Sequence, residues 1–172
     1  MAMNRVWVAV ALVGWAGLAG ALTEVDAYGL GPNPPVPESW LKLDEDLSIR
    51  VRILDAKGNL AGQVDAVQVL RAEVSFFGRE DAADREVRLF CTAYFMDANA
   101  ENSANVIADK PCYEGRLSDA TGRFVPLQMD LQFRPVASDP AGTSAVGVMV
   151  RDAVVGDSVT LTPTYDWQGG RK

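Results

Sequence analysis

Residues 87–95 read Val-Arg-Leu-Phe-Cys-Thr-Ala-Tyr-Phe. Val87, Leu89, Cys91, Ala93 and Phe95 occupy every second position, and Arg88, Phe90, Thr92 and Tyr94 fill the gaps. A period of two sends these sets to opposite faces of an extended chain, so the segment is a strand with one face turned to a core. Upstream, Leu47, Ile49, Val51 and Ile53 alternate with Ser48, Arg50 and Arg52. Leu70, Ala72, Val74 and Phe76 likewise alternate with Arg71, Glu73, Ser75 and Phe77. Downstream, one face is shared by Val125, Leu127, Met129, Leu131 and Phe133, another by Val146, Val148 and Val150, and a short one by Val159 and Leu161.

The punctuation between these runs supports strands. Asp55-Ala56-Lys57-Gly58 and Asp119-Ala120-Thr121-Gly122 place Asp first and Gly fourth, which suits a type I turn closed by a left-handed residue. Asp139-Pro140-Ala141-Gly142 and Val155-Gly156-Asp157 mark further turns. Helical periodicity is not sustained anywhere after residue 22, and only Gly78–Arg85 is expected to coil into a turn of helix. About six to eight short strands punctuated in this way predict an all-β antiparallel β-sandwich, of immunoglobulin-like or jelly-roll type.

The chain ahead of the first of these strands has a different character. Val6–Leu18 is apolar behind a single Arg5, and Ala19-Gly20-Ala21 supplies the small residues of a cleavage site. Sixteen residues from Val6 to Ala21 rise about 24 Å as a helix, short of the roughly 30 Å hydrocarbon core. Residues 1–21 are therefore expected to be a signal peptide, leaving no membrane span after cleavage and a secreted, periplasmic or cell-surface location. Four prolines from Pro32 to Pro37 make 22–43 an expected extended arm or linker, since proline removes amide donors and disfavours helix before it. The sandwich is expected over 44–168, with 169–172 a frayed tail.

Composition narrows the chemistry. The 172 residues include no histidine, which excludes Ser-His-Asp and Cys-His catalytic pairs and histidine-ligated metal or haem. The formal charge is −7, and it falls to −8 when Arg5 leaves with the leader. Such a balance argues against nucleic acid, which is held by neutralising phosphates. Cys91 and Cys112 are the two thiols, and in an exported chain an even count predicts one disulfide. Because Cys112 follows Pro111, the bridge is expected to tie a long loop back to a strand.

Candidate sites are few. Phe90 and Tyr94 stand on the face opposite Cys91, where water is otherwise expected, and offer a partner or sugar-stacking surface. Tyr165 and Trp167, flanking Asp166, invite a similar reading, and Trp40 is a further stacking ring. Asp97, Asn99 and Glu101 set oxygen ligands at alternate positions, a weak calcium candidate without the turn glycine of an EF-hand. Paired carboxylates are the catalytic option left without histidine, but no motif selects a pair. Ser138, Ser144 and Ser158 lack a nucleophile-elbow context. The sequence thus predicts a non-catalytic, cofactor-free binding domain of a periplasmic or cell-surface assembly. Its partner is expected to be another protein, or a second copy, met through the N-terminal arm or a sheet edge. A carbohydrate-binding module is the alternative, and a small carboxylate-based hydrolase a more remote one.

Overall fold

The computed structural model describes residues 35–98, 104–129 and 131–169. Eleven strands follow in chain order: β1 (Glu38–Lys42), β2 (Leu47–Leu54), β3 (Gln63–Val64), β4 (Leu70–Gly78), β5 (Glu86–Met96), β6 (Ala104–Arg116), β7 (Phe124–Pro126), β8 (Leu131–Phe133), β9 (Gly142–Asp152), β10 (Ser158–Leu161) and β11 (Thr164–Trp167). One sheet has the order β1-β2-β4-β7, with β8 also on β4. The other runs β3-β11-β9-β5-β6, with β10 also on β9. All pairs are antiparallel except β3 with β11. The expected β-sandwich is the fold.

Alternation builds the core as the pattern demands. Leu47, Ile49, Val51 and Ile53 from β2 face Val87, Leu89, Cys91 and Ala93 from β5, each at most 1% exposed. Val146, Val148 and Val150 of β9 and Phe76 of β4 are fully buried between them. Each such aliphatic or aromatic side chain contributes about 1.5–3 kcal/mol by leaving water.

Four local features differ from the sequence expectation. Val125 through Phe133 is not one strand: Val125 pairs with Phe76 and Leu131 with Ala72. Six positions on this segment therefore span four on β4, and the two surplus residues break it into β7 and β8. The helical turn falls at Leu117–Ala120, as a 3-10 turn, and not at Gly78–Arg85. Cys112 lies within β6, so the Cys91–Cys112 bond joins neighbouring strands of one sheet, with Cα atoms 5.8 Å apart. Finally, β1 begins at Glu38, so the end of the 22–43 segment is itself sheet.

Among the described residues, two of the devices that tie the sheets together stand at their margins. At one margin the backbone of Val36 accepts from Thr164 of β11 at 2.9 Å, and Pro37 accepts from Ile53 of β2 at 2.7 Å. Successive residues thus bond to opposite sheets. Elsewhere Arg85, just before β5, donates to Asp44 in the β1–β2 turn and to Asp152 at the end of β9, the latter at 2.7 Å. Asp152 is fully buried and also accepts from the Val154 amide at 2.9 Å.

Candidate functional site

The rings singled out in the sequence are largely occupied. Phe90 pairs across the ladder with Arg151, whose guanidinium sits 4.8 Å from the ring centroid. Arg151 in turn reaches Asp109 at 3.0 Å. Tyr94 pairs with Gly147 and lies flat on it, in the space that a side chain there would fill. Tyr165 is 7% exposed and Trp167 1%, both facing the core. The Trp167 indole donates to the Asp139 carbonyl at 3.3 Å, and the Tyr165 ring packs 5.7 Å from Phe133. Burial raises the Tyr165 pKa. Of the calcium candidates, Asp97 follows β5, while Asn99 and Glu101 lie outside the described residues.

A different aromatic group lies on the outer face of the β1-β2-β4-β7 sheet, and the registers show why. Trp40 is opposite Arg50, Arg50 opposite Ser75, Ser48 opposite Phe77, and Phe77 opposite Phe124. Cross-strand partners share a face, so Trp40, Arg50, Ser75, Phe77 and Phe124 project outward together, while Ile49, Phe76 and Val125 point inward. Phe77 and Phe124 pack with centroids 5.3 Å apart. The Arg50 guanidinium stacks 3.6 Å from the Phe124 centroid. To reach from β2 to a ring on β7 it must cross β4, which accounts for Ser75 being 2% exposed on an outward face.

Between these groups runs a groove of about 310 Å³, walled by Glu38, Trp40, Arg50, Phe77 and Phe124. Trp40 remains 49% exposed at its rim. Burial, and after it the charge of Arg52, lowers the Arg50 pKa, against opposing pulls from Glu38 and Glu73. A guanidinium nevertheless stays protonated. Its Nε and the Ser75 hydroxyl are buried without hydrogen-bond partners. The neighbouring Arg52, by contrast, is bound to Glu73 at 2.6 Å, and Arg71 shares that carboxylate at 3.3 Å.

Sequence reasoning reached Trp40 as a stacking ring and placed Arg50, Ser75 and Phe77 on outward faces. It missed their meeting, because adjacency of β1, β2, β4 and β7 is a matter of strand order. Phe124 carried no signal, standing just ahead of the run that begins at Val125. The molecule is a disulfide-linked β-sandwich with an aromatic groove on one sheet. Among known proteins, no family model and no curated sequence matches the chain.

Proposed function

We propose that this chain is an exported binding domain, a subunit or accessory module of an extracellular or cell-envelope assembly. It docks its partner on the outer face of the β1-β2-β4-β7 sheet. The observation that carries this reading is the groove beside half-exposed Trp40, walled further by Phe77 and Phe124. Aromatic and arginine side chains dominate interface energetics, and a solvent-facing tryptophan beside two phenylalanines is costly surface unless a partner covers it. The leader sequence and the disulfide support export. Binding, and not catalysis, is the activity assigned here.

The test places a photo-crosslinking residue at position 40 and, in a second variant, at position 90 on the opposite face. Position 40 should capture one discrete protein in the native host and position 90 should not. Equal capture at both positions would overturn the assignment of the face. The mature chain is expected to begin at Leu22, checked by the intact mass of the protein from its host.

A further inference from the structure

We infer that the groove takes an acidic peptide segment, in which a carboxylate is held by Arg50 and a neighbouring apolar side chain packs between Trp40 and Phe77. This rests on the β1-β2-β4-β7 face being the docking face.

Arg50 is positioned but unpaired. A guanidinium stacked on a ring spends its face and leaves its N–H donors pointing outward in its own plane. Here the stack on Phe124 is made, the Nε is buried and closed to a ligand, and the two terminal Nη groups, the donors left for one, enter no ion pair among the described residues. A positioned planar cation with open donors matches a carboxylate, which accepts two parallel bonds.

The charge of this face differs from that of the chain. Along β1, β2 and β4 this face carries Lys42, Arg50, Arg52 and Arg71 against Glu38 and Glu73, two positive charges in excess on a chain of net charge −7. Glu73 is already bound to two of those arginines. An anionic ligand is therefore drawn to this patch and repelled from the protein at large.

The lining favours peptide over glycan. Sugar rings need several hydrogen-bonding groups around a stacking platform. This groove offers two phenyl rings, an indole with a single N–H, one cation and one carboxylate, and Ser75 is covered. An apolar side chain next to Asp or Glu satisfies those walls more fully.

The experiment uses an array of heptapeptides that pair Phe or Leu with Asp or Glu, alongside the same peptides carrying Asn or Gln. Oligogalacturonate is included as an acidic glycan. The purified protein should bind acidic peptides about tenfold or more tightly than their amide counterparts, as expected for a charge-assisted bond. Arg50→Gln should abolish that preference, and Arg50→Lys should retain part of it. Glu38→Gln, which removes the one acid of the groove, should strengthen binding. Thermal melting of each variant separates lost binding from lost folding.

Equal binding of acidic and amide peptides, no binding of any peptide, or a preference that survives Arg50→Gln would overturn the proposal. Binding of oligogalacturonate alone would do the same in favour of acidic glycans. Should peptide binding ignore charge yet vanish in Trp40→Ala, only the carboxylate assignment fails. Binding indifferent to both residues removes the docking face as well.

Discussion

Gly147 has no side chain because Tyr94 occupies the space one would need: a Cβ there would lie 2.0 Å from the tyrosine ring. The ring stays half-buried on the sheet surface by covering a bare stretch of β9. Gly147→Ala should therefore destabilise the protein by about 1–3 kcal/mol through forced displacement of the ring. Adding Tyr94→Ser should recover part of that loss, with thermal denaturation of the parent and both variants as the check. Tyr113 gives a second test, through pH. Its hydroxyl donates to Asp119 at 2.6 Å and its ring packs 4.5 Å from Phe76. Burial first, then the Asp119 carboxylate, raises its pKa from 10.0 to about 12. The folded state thus holds this proton more tightly than the unfolded chain. The resulting stability is complete below pH 10 and is lost as pH rises toward 12. Between those values Tyr113→Phe should lose less stability than the parent protein, as followed by alkaline denaturation.

Among the described strands β6 is the outermost of its sheet, paired with β5 alone and otherwise held by one backbone bond, from the Gln128 amide to the Cys112 carbonyl at 2.8 Å. The Cys91–Cys112 bond fastens it there, closing a loop with a sequence separation of 21. Replacing both cysteines by alanine should cost about 3 kcal/mol on the chain-entropy view. Urea unfolding measures that loss, and hydrogen exchange should show β6 amides losing protection before those of β2. β1 yields a sharper prediction. A chain starting at Trp40 loses the Val36 and Pro37 bonds and should melt well below one starting at Pro35.

These two strands also show what could be read from residues alone. β2, β4, β5 and β9 each bury an apolar set at every second position, so their alternation announced them. β6 contains Pro111, Gly115 and Asp109 at φ 40°, and it slips register against β5 at three places, so its periodicity is erased. β1 follows the prolines closely and is held by two sheets at its start, information that no local pattern carries. The groove was legible as separate outward residues and illegible as a site, because its members come from four strands.

The whole sandwich is held at separate places by unlike means. One is the ionic tie in which Arg85 joins Asp44 and buried Asp152, linking the β1–β2 turn of one sheet to the end of β9 in the other. Removing one partner of such a pair leaves the remaining groups unpaired. Asp152→Ala should therefore cost about 3 kcal/mol, toward the lower end of the range because Arg85 keeps Asp44 and some solvent contact. Denaturant titration checks the value. The other tie is the backbone crossing at Val36 and Pro37. Since Val36 bonds to Thr164 and β11 ends only three residues later, Val36 and the end of β11 are about 10 Å apart at strand spacing. Two neighbouring openings of that kind let a domain be spliced into a surface loop of a host protein without parting the loop's ends. They also let its own ends be joined and a new start cut at Gly156, leaving the aromatic groove intact.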